Sequence, residues 1–346
     1  MITRMTIRYP APLRPGDRVG VTSPSSGIDE SMRPRLQVAL DSVRKRGYEI
    51  VVGDCMDGTG HVSASAAARA DELMRMLTDP AVKAVVPPWG GETAIDLVPL
   101  LDWEALSDAE PTWVVGYSDI STIITPLTLL TNMATIHGNN LMDTPFRAPE
   151  GLLSWLDIVS LNQGESFTQV SPGRYRATGW VDYREHPEVD EFTLDSAGRW
   201  TRLDGTGDVA VEGRLIGGCI ETLCNLAGTR YADVEAFARR EAPDGLLVYV
   251  EASGDDAATI CRNLHGMRLN GFFAGANAVL VGRTSAPALD SLTQHEAVLD
   301  ALGGLGVPII ADVECGHVAP YLPIVNGARG RVVLTDDRSE FTQTLS

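Results

Sequence analysis

The chain has 346 residues, of which 44% are hydrophobic and 21% charged, and its formal net charge is −18. This length favours two domains with separate cores, and the acidic balance argues against nucleic acid or an anionic membrane surface as a partner. Five cysteines without a CxxC pair, no signal-type apolar core in residues 1–18 and no apolar run of membrane-span length favour a cytoplasmic protein with reduced thiols.

The first half of the chain alternates strand and helix patterns. Short apolar runs predict strands at residues 18–22, 48–52, 82–86 and 113–115. Helical spacing predicts helices at residues 32–46, 64–77, 92–101 and 120–130. Repeated β-α units with short connections predict a parallel sheet that is covered on both faces. Ligands bind at the carboxyl ends of the strands in such sheets, which is where Gly90, Gly91 and Ser118 lie.

The pattern changes in the second half. Residues 165–213 are polar, contain several aromatic residues and show no strong period, which indicates a linker or an ordered insertion. Regular patterns then predict strands at 245–250, 276–281, 307–312 and 331–334, and helices within 213–226 and at 257–269 and 295–302. We therefore predict an α/β protein with an N-terminal domain over residues 1–160, a linker or aromatic insertion over 161–208, and a smaller, β-rich C-terminal domain over 209–346.

A serine follows the strand predicted at 113–115. The run ends at Gly116, and Ser118 stands immediately before the helical segment 120–130. A strand, a tight turn and a helix present a hydroxyl group at the positive end of the helix, which favours a nucleophile over an ordinary surface serine. Ile120 replaces the closing glycine of the G-x-S-x-G pattern, and this argues against a standard α/β-hydrolase.

Attack by a serine on a carbonyl group requires a base, and His317 is the best-placed of the six histidines. It lies in a loop bounded by glycine and proline, after the strand predicted at 307–312. The alternative is a loop histidine that caps a backbone group. An acid should orient the base, and two candidates remain open: Glu251 directly follows the strand predicted at 245–250, and Glu221 lies on the short helix after Gly217 and Gly218.

Backbone N–H groups can stabilise the oxyanion that forms during such an attack. The N–H groups of Gly91 and Asp119 are our candidates, because one lies at the tip of a glycine pair and the other at a helix start. A plain tight turn is the alternative at Gly90 and Gly91. The chain contains no G-x-x-x-x-G-K-[ST], G-x-G-x-x-G or H-E-x-x-H motif and no Cys/His metal set, so we expect neither a cofactor nor a metal.

Six segments in the same order resemble the serine peptidase family of LD-carboxypeptidases, which includes the microcin C self-immunity hydrolases. The resemblance runs from Leu13 to the end of the chain. The segments are Pro88-Trp89-Gly90-Gly91, Gly116-Tyr117-Ser118-Asp119, Gly213-Arg214-Leu215-Ile216-Gly217-Gly218, Glu251 after its strand, Val281-Gly282-Arg283 and Gly316-His317.

The resemblance implies a catalytic triad of Ser118, Glu251 and His317, with an oxyanion hole that we assign to the N–H groups of Gly91 and Asp119. It thereby selects Glu251 over Glu221 as the orienting acid. It also implies a flavodoxin-like N-terminal domain, a smaller C-terminal domain with the active site between them, a homodimer and no metal.

Two branches of this family differ in substrate. One removes a terminal D-alanine from muropeptides, and the other cleaves an amide that joins an acyl group to a modified nucleotide. The aromatic insertion resembles the second branch, so we expect a peptidyl- or aminoacyl-nucleotide substrate that stacks on Trp180 or, less favourably, Trp200. Gly90 and Glu221 complete the expected substrate contacts, whereas Cys219 replaces an asparagine that relatives often carry. A muropeptide carboxypeptidase, a ligand-binding protein without turnover and a metal-dependent hydrolase are the alternatives.

Overall fold

A computed structural model describes residues 6–346 of the chain. The first five residues, which belong to the N-terminal segment inspected for a signal sequence, lie outside the described residues. No helix between residues 6 and 346 is both long and apolar enough to cross a membrane.

The described residues form sixteen strands and nine α-helices. The strands are β1 (Arg18–Val21), β2 (Glu49–Val52), β3 (Val82–Val85), β4 (Trp113–Gly116), β5 (Thr135–His137), β6 (Ser166–Val170), β7 (Arg174–Tyr175), β8 (Ser196–Ala197), β9 (Thr201–Arg202), β10 (Val209–Cys219), β11 (Leu246–Glu251), β12 (Ala276–Gly282), β13 (Ile309–Val313), β14 (Ile324–Asn326), β15 (Arg329–Leu334) and β16 (Ser339–Thr344). The helices are α1 (Arg33–Lys45), α2 (Ala66–Thr78), α3 (Trp103–Asp108), α4 (Ser121–Thr131), α5 (Trp155–Ile158), α6 (Ile220–Leu223), α7 (Val234–Glu241), α8 (Ala257–Leu269) and α9 (Gln294–Leu302).

The first sheet has six strands in the order β14-β5-β4-β3-β1-β2. Its five N-terminal strands are parallel, and β14 pairs antiparallel with β5. Side chains alternate between the two faces along each strand, so Trp113 and Val115 join a core that includes α1 and α5, whereas Val114 joins a core built by α2, α3 and α4. Helices on both faces explain why these strands read as continuous apolar runs.

The second sheet has eight strands in the order β6-β16-β15-β10-β11-β12-β13-β9. Strands β10 to β13 are parallel, and the strands beyond them on both sides are antiparallel. The long helix α8 is capped by Asp256, whose carboxylate accepts hydrogen bonds from the N–H groups of Ala258 and Thr259. The C-terminal region is therefore a mixed, β-rich sheet with helices packed against it.

The predicted two-domain α/β fold is confirmed. However, each sheet also contains strands from parts of the chain that were predicted to lie outside its domain. Strands β6 and β9, from the segment predicted as a linker or insertion, extend the second sheet, and β14 from the C-terminal part completes the first. The helix predicted at 92–101 is a short 3₁₀ turn at Ala94–Leu97, followed by α3. The division at residues 160 and 208 remains a prediction.

The two sheets meet through α4, which follows the predicted elbow. The hydroxyl group of Thr125 donates a 2.7 Å hydrogen bond to the carbonyl oxygen of Gly217 on β10. One turn earlier, the Ser121 hydroxyl oxygen accepts a 3.1 Å hydrogen bond from the N–H of Cys219. These buried contacts bring the carboxyl ends of β4 and β10 together, and the candidate site lies at this junction.

Candidate active site

Ser118 lies at a sharp turn between β4 and α4. Its φ angle is +62°, in the left-handed region that residues other than glycine rarely adopt. A strained turn of this kind lifts a side chain away from the strand and the helix that flank it. The elbow expected from the sequence is present in the structure, although Ile120 occupies the position of the usual closing glycine.

The turn is held by the carboxylate of the next residue, Asp119, which is 2% exposed. This carboxylate accepts hydrogen bonds of 2.5 Å from the Ser25 hydroxyl group and 2.8 Å from the N–H of Ala94. In the part of the chain that the structure describes, no hydrogen bond uses the backbone N–H of Asp119 or that of Gly91. Both N–H groups are therefore available to a ligand.

Gly90 and Gly91 lie against this turn, and both positions require the absence of a side chain. A Cβ atom on Gly90 would come within 2.9 Å of Ser118 Cβ and 3.1 Å of Ser118 Oγ. Gly91 has a φ angle of +146°, and a Cβ there would overlap the hydroxyl groups of Ser25 and Ser26. The glycine pair lets the backbone approach the serine closely.

His317 joins Ser118 to Glu251 in one hydrogen-bonded chain. Its Nε2 lies 3.0 Å from Ser118 Oγ, and its Nδ1 lies 2.7 Å from Glu251 Oε2. Ser118 follows β4 of the first sheet, and Glu251 ends β11 of the second, where it pairs with Cys219. The structure thus brings together three side chains that the sequence separates by up to 199 positions.

Glu251 is fully buried, yet it is held in its charged form. Burial alone would raise the pKa of Glu251, but the charge and hydrogen bond of His317, together with the neighbouring imidazole of His137, lower it to about 2. Burial lowers the pKa of His317, and the nearby negative charge of Glu251 more than compensates, so the His317 pKa lies above its ordinary value. The pair therefore provides a basic imidazole with a fixed ionised partner.

The ring of Tyr117 holds His317 from the side. The two ring centres are 5.0 Å apart at an interplanar angle of 63°, an edge-to-face contact. The Tyr117 hydroxyl group donates a 3.3 Å hydrogen bond to Asp143, which is buried and also accepts one of 2.5 Å from Tyr183. None of these three residues was predicted from the sequence as part of the site, although Tyr117 stands next to the predicted nucleophile.

Of the two tryptophans expected to contact a substrate, the structure brings Trp180 to the site. Trp180 is 59% exposed, and its ring centre lies 6.3 Å from that of His317. Trp200 is 2% exposed, and its indole N–H donates to Glu314. The expectation that Trp200 could stack on a substrate is therefore wrong for this structure, because almost none of its side chain is exposed.

Glu221 also lies near the triad but serves the adjoining loop. Its Oε1 accepts hydrogen bonds from the N–H groups of Ser253, Gly254 and Asp255, which directly follow β11. Its Oε2 lies 3.3 Å from the thiol of Cys219. Glu221 thus holds the segment after Glu251, and it adds negative charge near His317.

A cleft of about 560 Å³ opens beside the elbow. Trp180 and Tyr183 of the insertion form one wall, and Trp89 stacks on Tyr183 with ring centres 6.1 Å apart. Tyr183 is anchored by Arg35, whose guanidinium lies 4.2 Å from its ring centre. The aromatic composition of the insertion indicated such a surface, but the sequence alone did not show which rings face it.

Two α/β domains with a serine, a histidine and a buried carboxylate in one hydrogen-bonded chain define a serine hydrolase. Two family models match the chain: the LD-carboxypeptidase N-terminal domain of peptidase family S66 over residues 19–138, and the corresponding C-terminal domain over residues 212–332. The chain belongs to the S66 family of serine peptidases, the LD-carboxypeptidases, so the predicted family and enzyme class are confirmed.

Curated relatives resemble the chain over nearly its whole length. The microcin C7 self-immunity protein MccF of Escherichia coli is 24% identical over 326 residues, covering 92% of this chain and 91% of the relative. A Bacillus subtilis protein named "Probable murein peptide carboxypeptidase" is 24% identical over 325 residues, covering 92% and 90%. The chain is thus equally similar, at 24% identity, to one relative from each of the two branches considered in the sequence analysis.

Solved structures show the same fold. MccF in complex with glutamyl sulfamoyl guanosine superimposes with a TM-score of 0.80 at 21% identity, covering 97% of this chain and 98% of that chain. An MccF-like protein from Bacillus anthracis gives a TM-score of 0.78 at 20% identity, covering 97% and 99%.

Proposed function

We propose that this protein hydrolyses an amide bond with Ser118 as nucleophile, His317 as general base and Glu251 as the orienting acid. The observation that carries the proposal is the chain from Ser118 Oγ through His317 to the buried Glu251, with distances of 3.0 and 2.7 Å. His317 Nε2 takes the Ser118 proton while Oγ bonds to the substrate carbonyl carbon. The same proton then passes to the leaving nitrogen as the C–N bond breaks.

The N–H groups of Gly91 and Asp119 bind the oxygen that becomes negative in this step. Their freedom from other hydrogen bonds in the described residues supports this role, because preorganised donors stabilise a developing charge without reorganising. Water then attacks the acyl-enzyme while His317 accepts its proton, and His317 returns this proton to Ser118 Oγ as the acyl–oxygen bond breaks. Glu251 keeps His317 protonated on Nδ1 and stabilises the imidazolium form.

The substrate that we propose is a peptidyl- or aminoacyl-nucleotide. The exposed ring of Trp180 beside His317 supports this choice, because an aromatic face can stack on a purine while the acyl group reaches Ser118. The neighbouring cleft, lined by Trp89 and Tyr183, offers further aromatic surface. Related MccF structures hold aspartyl sulfamoyl adenosine and glutamyl sulfamoyl guanosine.

The decisive experiment incubates the enzyme in parallel with an aminoacyl-sulfamoyl adenosine and a muropeptide tetrapeptide and detects the products by mass spectrometry. We expect cleavage of the nucleotide conjugate. Cleavage of the tetrapeptide alone would contradict the substrate and retain the mechanism. Ser118→Ala should abolish turnover, and Ser291→Ala, at an exposed serine outside the cleft, should preserve it.

We further propose that the enzyme is cytoplasmic and that it is a homodimer, the latter because the family resemblance implies it. All five cysteines, which lie within residues 6–346, are free, in agreement with a reducing compartment. Light scattering after size-exclusion chromatography tests the dimer, and a monomer at micromolar concentration would contradict it.

A further inference from the structure

A second buried histidine, His137, approaches the acid of the triad from the side opposite His317. His137 ends β5 and is 1% exposed. Its Nε2 lies 3.7 Å from Glu251 Oε1, whereas His317 contacts the other carboxylate oxygen, Oε2. The proposed mechanism gives His137 no role.

The two facing atoms are both without a hydrogen-bond partner among residues 6–346. Nε2 of His137 and Oε1 of Glu251 are buried, and no other protein atom satisfies either. Buried polar atoms in native proteins are almost always paired, because an unpaired one forfeits its hydration. Two such atoms that face each other need to approach by only about 0.8 Å to form an ordinary N–H···O bond.

The ring of His137 packs between two tyrosine rings. Edge-to-face contacts at ring-centre distances of 5.2 Å with Tyr249 and 6.3 Å with Tyr117 fix its plane. Tyr249 is itself fixed by a 2.8 Å hydrogen bond from its hydroxyl group to Asn326 on β14. His137 therefore presents Nε2 from the first sheet to a carboxylate that belongs to the second.

We propose that His137 is a positioning residue whose Nε2–H donates to Glu251 Oε1 in the working enzyme. The inference rests on the proposed roles of Ser118, His317 and Glu251. A carboxylate gripped at both oxygens cannot rotate, so Oε2 stays aimed at His317 Nδ1 throughout the reaction. The imidazoles lower the pKa of Glu251, so its carboxylate stays ionised and has an acceptor oxygen for each of the two rings.

Two variants separate a donor role from a merely structural one. His137→Phe keeps an aromatic ring against Tyr117 and Tyr249 but removes the donor, and His137→Gln restores an N–H at similar reach. We expect His137→Phe to lower kcat about ten- to a hundredfold, the usual cost of losing an outer hydrogen-bond partner of a site, with little change in KM. His137→Gln should recover most of the loss.

Two readouts are independent of the natural substrate. The rate at which a fluorophosphonate modifies Ser118, followed by mass spectrometry, should fall in His137→Phe in parallel with kcat, and Ser118→Ala should remain unmodified. Nitrogen-15 NMR of the histidine rings should show His317 protonated on Nδ1 in the wild type and a mixture of tautomers in His137→Phe.

Wild-type kcat, labelling rate and tautomer in His137→Phe would overturn the proposal. Equal losses in the Phe and Gln variants that track their melting temperatures would also overturn it, because they indicate a packing role alone. A wild-type enzyme that cleaves no amide, but whose His317 tautomer depends on His137, would contradict the proposed function and leave the positioning role supported.

Discussion

The indole N–H of Trp200 donates a 2.6 Å hydrogen bond to the buried carboxyl group of Glu314, three residues before His317. Glu314 also accepts a 2.5 Å hydrogen bond from the hydroxyl group of Ser171. Both donors belong to the segment between the two family domains. This segment therefore anchors the loop that carries the proposed base, in addition to forming one wall of the cleft.

Trp200→Phe should destabilise the protein by about 1–3 kcal/mol, because it leaves a buried carboxyl group with one donor fewer. Burial raises the pKa of Glu314, and the hydrogen bonds from Ser171 and Trp200 lower it, so the variant should also bind a proton on Glu314 more readily. Urea unfolding at neutral pH measures the loss. The exposed Trp180→Phe is the matched control, and an equal loss of stability in both would contradict the role of Trp200.

Trp180→Ala should weaken the binding of a nucleotide substrate by about 1–3 kcal/mol, the usual contribution of a base stacked on an aromatic ring. Since 59% of this side chain is exposed, stability should change little. Titration with adenosine monophosphate and with an aminoacyl-sulfamoyl adenosine measures the effect, and Trp180→Phe should retain most of the affinity. Unchanged affinity in Trp180→Ala would remove the stacking role.

The acid limb of the pH profile of kcat/KM should report His317 coupled to Glu251. Only neutral His317 can accept the proton, and its pKa is raised, so activity should fall as the pH drops through a value above the ordinary ~6.5 of histidine. Glu251→Gln removes the charge that raises this pKa, and burial then dominates. The limb should therefore move to lower pH, while kcat falls by about 10³–10⁴-fold.

The pH profile of Glu221→Gln should be measured beside that of Glu251→Gln. Glu221 also raises the pKa of His317 but makes no hydrogen bond to it, so this variant should move the limb in the same direction by less and retain more activity. A limb that stays in place in Glu251→Gln would assign the titration to a different group.

Gly90→Ala should lower kcat about a hundredfold, because the new methyl group would displace Ser118 or the N–H of Asp119, and a misplacement of about 1 Å can cost that much. Gly254→Ala is the matched control, since a Cβ there meets no atom within 4 Å among the described residues. Steady-state kinetics and thermal melting of both variants test this. Full activity in Gly90→Ala would exclude the close approach of Gly90 to the nucleophile.

The parallel strands and the elbow could be predicted because an apolar run, and the glycine or polar residue that ends it, are local features of the sequence. Ser118, Glu251 and His317 share a local signal, a polar side chain just beyond an apolar strand. That signal places residues at strand ends without showing which ends meet. The family resemblance supplied the choice between Glu251 and Glu221, which depends on a contact between two sheets.

His137 and Trp200 show what cannot be predicted from local sequence patterns. β5 has only three residues, too few to show a period, and nothing in the residues around His137 distinguishes it from the other histidines. Trp200 was predicted as a substrate contact because the sequence shows that an aromatic residue is present but not whether its side chain is buried. Its partner Glu314 lies 114 residues away in the chain.

The pairing of β14 with β5 has a consequence for how the protein is made. Ile324 lies opposite His137, so the outer strand of the first sheet is supplied by a segment that is synthesised long after β5. Until β14 has been made, β5 is an unpaired sheet edge that can pair with a strand of another chain. Premature termination before β14 therefore leaves a chain that is prone to aggregate, because the edge beside His137 stays open.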